Sequence, residues 1–218
     1  MMHINPRLAA VAAVVVMAPA VSGCGVNAIP QNEENAKTKW ADVQAAYQRR
    51  ADLIPNLVAT VQGAAVSERT TLTQVIEARS RATSIQLTPE MLSDPAAMQR
   101  YQAAQGELTQ ALSRLMLVVE QYPQIQSNQN FLALQSQLEG TENRINIARR
   151  DYNEAVRVHN TALRTFPTVL WANTIHSGSG PMQPFQGNEA AQSAPTVSFN
   201  VAPGAAPGSA PPAATPAQ

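Results

Sequence analysis

Residues 94–123 read DPAAMQRYQAAQGELTQALSRLMLVVEQYP. Apolar residues recur at Met98, Tyr101, Leu108, Leu112, Leu115, Val119 and Tyr122, and Gln105 fills one gap in the series. Steps of three and four return to one side of a helix, so the series marks a seam facing other helices. Asp94 suits the N-cap, because its carboxylate accepts from backbone N–H groups that the first turn leaves free. Pro95 suits the first helical position, where its missing N–H costs nothing. Pro123 closes the stretch. The segment predicts a helix over 95–122, preceded by a short capped turn at Thr88-Pro89-Glu90-Met91-Leu92.

The same spacing extends in both directions. Downstream, Leu134, Leu138, Ile145, Ala148, Tyr152, Ala155 and Ala162 form a second seam. It predicts a helix from near 127–130 to about Phe166, closed by Pro167 and about 60 Å long. Upstream, Trp40, Val43, Tyr47, Ile54, Leu57, Val61, Leu72, Val75 and Ile76 keep the spacing over 33–84. Pro55 removes one backbone hydrogen bond and clashes with the preceding turn. It predicts helices at 33–53 and 55–84, with one long kinked helix as the alternative. Within 33–166 Pro occurs only at 55, 89, 95 and 123, and Gly only at 63, 106 and 140. The fold class is all-α: an antiparallel four-helix bundle over 33–171, with long helices of comparable length around one apolar core.

Some polar residues fall on or near these seams. His159 reads as a satisfied or partly exposed histidine, since no second His or Cys is placed to make it a ligand. Asn153 and Asn160 are seven apart, hence on one face, and buried Asn residues of this kind fix helix register. Glu77 and Arg79 do not face each other along a helix, so their partners would lie on other helices.

The chain has 218 residues, 15 basic and 15 acidic, and no net charge. Of the 30 charges, 28 lie in 31–171; Arg7 and Glu189 are the other two. The low charge therefore comes from two nearly uncharged ends on an ordinary soluble core. A balanced chain lacks the basic footprint of a nucleic-acid binder. One Cys excludes an internal disulfide and a Cys-based zinc site. The three His residues, at 3, 159 and 176, match no metal-ligand spacing. No phosphate-binding Gly loop, nucleophile elbow or HExxH occurs, and no metal or cofactor is implied.

At the N-terminal end, 8–21 reads LAAVAAVVVMAPAV after a start containing Arg7. Fourteen helical residues span about 21 Å, too short for a hydrocarbon core of about 30 Å. The pattern is that of a secretory signal over 1–23. Val21, Ser22 and Gly23 then precede Cys24 and resemble a bacterial lipobox. Cys24 would become the lipidated N-terminus, with a diacylglyceryl group and often a further acyl chain such as palmitate. Two or three chains hold a protein stably at a bilayer, whereas one binds only marginally. Residues 24–32 then read as an anchor linker. At the other end, 172–218 hold 8 of the 16 Pro and 5 of the 10 Gly. Residues 172–200 read as an irregular segment in which Phe185, Val197 and Phe199 are candidates for docking on the bundle. Residues 201–218 read as a disordered Ala/Pro/Gly-rich tail.

Several ordered blocks resemble the LemA family. The first is Arg49-Arg50-Ala51-Asp52-Leu53-Ile54-Pro55-Asn56-Leu57-Val58, followed by Glu77-Ala78-Arg79. Asn128-Gln129-Asn130-Phe131-Leu132-Ala133-Leu134 and Leu138-Glu139-Gly140-Thr141-Glu142-Asn143-Arg144-Ile145 continue it. Ala148-Arg149-Arg150-Asp151-Tyr152-Asn153, Asn160 and Phe166-Pro167 complete it, so the resemblance covers about 31–199. It implies a membrane-attached, extracytoplasmic, antiparallel four-helix bundle, and no reaction. Two features depart from the commoner pattern. A lipobox stands where many members have a transmembrane helix, and Trp171-Ala172-Asn173-Thr174 replaces a more apolar, Gly-rich stretch.

The block at Arg49, Arg50, Asp52, Pro55 and Asn56 has two readings. In one, it joins Arg149, Asp151 and Asn153 in a docking surface. In the other, Asp52 caps the helix after the break, and an Arg pairs with an acid on a neighbouring helix. For function, the sequence points to a non-enzymatic, lipid-anchored cell-envelope protein acting as a helical scaffold or interaction module. Its partners would be the membrane, through Cys24, and an envelope protein. The alternatives are an adaptor for a membrane protease in envelope stress and a peptidoglycan-acting hydrolase. Gly25 after Cys24, rather than Asp, resembles outer-membrane lipoproteins if the host has two membranes.

Overall fold

The computed structural model describes residues 25–63 and 68–186. The signal segment 1–23, the lipobox with Cys24, and Val197, Phe199 and the tail 201–218 lie outside the described residues. The described chain is helical, with no strand among the described residues. Its elements are α1 (Ala28–Gln62), α2 (Arg69–Ser84), a 3-10 turn (Pro89–Ser93), α3 (Pro95–Val119), α4 (Pro123–Gln126), α5 (Gln129–Ala162) and α6 (Thr168–Asn173). One compact unit runs to Phe185; a second, Gln186–Gln218, is described only at Gln186.

Asp94 caps α3 as its position predicts, accepting from the Ala96 N–H at 2.8 Å, with Pro95 next in the first turn. Asn128 caps α5 in the same way, accepting from the Asn130 and Phe131 N–H groups. Both helices end earlier than their seams suggest. α3 stops at Val119, and Tyr122 becomes the residue before the short helix opened by Pro123. α5 stops at Ala162, four residues short of Phe166. α1 starts at Ala28, so residues 28–32 of the expected linker are helical.

Pro55 neither divides nor ends its helix. α1 continues through it to Gln62, and the break comes at Gly63, the C-cap. Both readings of 33–84 are therefore corrected. An internal Pro costs about 3 kcal/mol. Ile54, Leu57, Val58 and Val61 on either side are all buried, and each such burial contributes roughly 1.5–3 kcal/mol. Packing outweighs the local penalty. Ile76 departs from its seam and is exposed.

The helices are not of comparable length. α1 and α5 have 35 and 34 residues, about 50 Å each, whereas α3 has 25 and α2 only 16. Cross-links set the directions. Lys39 reaches Asp151, and Arg50 reaches Glu142, so α1 and α5 run antiparallel. Arg81 pairs with Glu107, while Tyr122 donates to Glu68, so α2 and α3 do too. Over the first half of α1, loop segments and the 3-10 turn take the place that α2 is too short to reach. Leu87 and Leu92 before α3, and Met182 and Phe185 after α6, pack there with Trp40.

The core has two parts. One is aromatic: Trp40, Tyr101, Tyr152 and Phe185 pack with ring centroids 5.3–5.8 Å apart, and Tyr47 joins through Tyr101. The other is aliphatic, including Ile54, Leu57, Val61, Leu72, Val75, Leu108, Leu115 and Leu138. On α1 the change falls between Tyr47 and Ile54, on α3 between Tyr101 and Leu108, and on α5 between Leu138 and Ile145.

Candidate functional site

The residues in those three gaps form a polar layer. Arg50 of α1 is only 2% exposed. One of its terminal nitrogens donates to Thr109 Oγ1 at 2.9 Å and Glu142 Oε2 at 3.1 Å. The other donates to the Gln105 Oε1 at 2.8 Å and main-chain oxygen at 3.3 Å. Gln105 in turn donates to the Ala82 carbonyl of α2 at 3.2 Å. The guanidinium carbon lies 5.0 Å from the Tyr47 ring centroid. One arginine thus ties α1 to α3 and α5, and Gln105 carries the network to α2. This is the inter-helix Arg–acid pair that the sequence offered as a structural reading.

Arg79 explains how Pro55 is tolerated. A helix residue at 55 would donate its N–H to the carbonyl of residue 51, and Pro55 has no N–H. Arg79 Nε donates to the Ala51 carbonyl at 2.7 Å instead. The first motif block and Glu77-Ala78-Arg79 are therefore one structural unit. Glu77 is exposed beside it.

Asp52 caps nothing. It lies within α1, exposed, and accepts from Gln48 Nε2 at 2.7 Å. With the helix unbroken at Pro55, no free N–H groups exist for it to cap. Arg49 and Asp52 instead line an open groove of ≈ 710 Å³ between α1 and α5. Asp42 joins them on α1, and Arg144, Ile147 and Asp151 lie opposite on α5. Ala46 and the buried Ala148 are its small residues nearest the core. Pro55 and Asn56 are exposed on α1 and outside this lining.

Arg149 and Asn153 serve a different structure. Residues 180–185 run as an extended strap along α5. Asn153 accepts from the Phe185 N–H at 2.8 Å and donates to the Phe185 carbonyl at 3.1 Å. Asn160 treats Met182 identically, at 2.9 and 2.8 Å. Tyr152 donates to the Gln183 carbonyl, and the Gln183 N–H donates to the Leu92 carbonyl. Arg149 lies over the Phe185 ring at 4.8 Å. His159, fully buried, donates from Nε2 to the Gly180 carbonyl at 3.2 Å. The two Asn residues do share a face, but they hold a strap and not a helix register.

Among the described residues no three His, Cys, Asp or Glu side chains group as metal ligands. No described helix is long and apolar enough to cross a membrane. The described motif residues thus divide between a buried layer, a proline-relief contact, an outer groove and a strap. A model of the LemA family matches residues 39–199.

The chain belongs to the LemA family.

This LemA family chain is 27% identical over 157 residues to magnetosome protein MamQ of Magnetospirillum gryphiswaldense, covering 65% of the chain and 58% of that protein. It is 29% identical over 150 residues to magnetosome proteins MamQ 1 and MamQ 2 of Paramagnetospirillum magneticum, covering 62% of the chain and 55% of each. It therefore spans little more than half the length of these curated relatives. Sequence reasoning missed Gln105, Thr109 and Glu142 as partners of Arg50. One signal was available: Gln105 interrupts an otherwise apolar seam.

Proposed function

We propose that this LemA family protein is a non-enzymatic, lipid-anchored helical interaction module of the cell envelope. In this reading the four main helices, α1, α2, α3 and α5, form one antiparallel bundle, carried at the membrane by a lipid on Cys24 after cleavage of residues 1–23. In a two-membrane host it resides in the outer membrane. The observation that carries the reading is the division of one motif between interior and surface. Arg50 is consumed by the polar layer, while adjacent Arg49 and Asp52 stand on an open groove that also holds Arg144 and Asp151. Charged side chains of both signs around small residues suit a protein partner, because complementary charge sets specificity and approach rate.

Charge reversal in the groove tests it. The double variant Arg49→Glu, Asp52→Lys is expected to keep the wild-type melting temperature within about four degrees, since two exposed substitutions together cost under roughly 1 kcal/mol. It is expected to lose a partner that wild type retains on crosslinking in native membranes. Retention of every crosslinked partner would remove the groove from the proposal. Loss of folding would make these residues structural.

A further inference from the structure

The end of the molecule that holds Gly25 has an unusual surface. Phe166, Leu170 and Ile175 are 77%, 53% and 61% exposed, all within ten residues at the α5–α6 corner. The other exposed large apolar residues, such as Ile76, Leu117 and Leu132, come from separate parts of the helices. Single exposed apolar side chains are ordinary, whereas a local group of them marks a contact surface. The same region is poor in carboxylates: Glu33 reaches it, accepting from Ser179 Oγ at 2.7 Å and pairing with Lys37. No Asp or Glu occurs between 155 and 186, or between 25 and 32, and Arg157 and Arg164 are the only formal charges in those stretches.

The described chain begins on this surface. A Cβ at Gly25 would lie 3.3 Å from Thr168 Cγ2 and 3.7 Å from Pro167 Cγ and Trp171 Cδ1. His176 Nε2 donates to the Val26 carbonyl at 3.0 Å, and the Ala28 N–H returns to the Gly25 carbonyl. Cys24 is the residue immediately before Gly25 in the sequence. A lipid on Cys24 would therefore be attached one residue before the chain that packs on this corner.

We infer that the 166–175 corner seats on the lipid surface to which Cys24 is tethered, with Phe166, Leu170 and Ile175 entering the headgroup–acyl boundary. This rests on the lipid-anchor reading. The short tether supplies proximity, the apolar side chains supply contact area, and the carboxylate that reaches this end, Glu33, is already bonded to Ser179 and Lys37. Arg164 can lay its stem on the apolar surface and keep its guanidinium among phosphates. Asp151 of the groove lies 11 residues along α5 from its C-terminal end, about 16 Å.

The test places a photo-crosslinking phenylalanine derivative at 166, 170 or 175 of the full-length chain in native membranes, with Leu117 and Leu132 as exposed control positions. Leu132 lies 30 residues along α5 from its C-terminal end, about 45 Å. Mass spectrometry of the same samples reads the state of Cys24. The expected result is lipid adducts at the three corner positions at least tenfold above both controls, with Cys24 acylated. Acylated Cys24 without corner adducts overturns the seating alone. Corner adducts with unmodified Cys24 keep the seating and overturn the lipid anchor. Neither signal overturns both. Equal adducts at all five positions, or corner adducts to protein only, also overturn the seating.

Discussion

Arg79 and Pro55 illustrate how a single side chain settles a backbone question. The Ala51 carbonyl loses its helical donor to Pro55 and gains Arg79 Nε. Leaving such a group unsatisfied costs about 1–3 kcal/mol, so Arg79→Met should lower unfolding free energy by that amount in urea titration. Pro55→Ala restores a donor at residue 55. In that background Arg79→Met should cost measurably less, and the double-mutant cycle reads the coupling directly. Equal costs in both backgrounds would mean that Arg79 acts through something else. Arg50 stands one residue before the same carbonyl and has a larger role. Removing one member of a buried charged network costs about 3–5 kcal/mol, although Glu142 keeps solvent access and escapes burial alone. Arg50→Ala is therefore expected at the low end of that range, against under about 0.5 kcal/mol for exposed Arg49→Ala.

At the scale of elements, the notable contact is between α5 and the strap. Asn153 and Asn160 each offer a carbonyl and an amide to one residue of an extended chain, as a neighbouring strand would. Their spacing of seven residues is close to two helical turns, and it matches the three-residue step from Met182 to Phe185. Asn153→Leu and Asn160→Leu should each release the strap locally. The expected result is faster amide exchange at Met182 and Phe185, with the α2–α3 pair unaffected. Exchange that accelerates uniformly across the helices would show that the strap has no separate stability. The strap is needed because α2 is short: Met182 and Phe185 cover core that a longer helix would have covered.

Across the whole molecule, the polar layer separates an aromatic half from an aliphatic half. Three phenols, Tyr47, Tyr101 and Tyr152, sit in the aromatic half. Burial raises each above its ordinary value near 10. The folded state therefore holds these protons more tightly than the unfolded state. The associated stability is fully present below about pH 10 and falls as pH rises beyond it. Phenolate absorbance from these residues should appear together with loss of helical circular dichroism. Ionisation near pH 10 with helix intact would contradict their burial.

The apolar spacing and the cap at Asp94 were enough to determine the helical class and the start of α3, because period and capping are local properties. The motif blocks were enough to place the chain in its family. Only the tertiary structure decided the course of the chain at Pro55, the interior position of Arg50 and the attachment of the strap to Asn153 and Asn160. Each depends on a partner distant in sequence: Arg79 for Ala51, Glu142 for Arg50, Phe185 for Asn153. Local propensity counts the hydrogen bond that Pro55 loses, but the donor that replaces it arrives from 28 residues away, once α2 has folded back along α1.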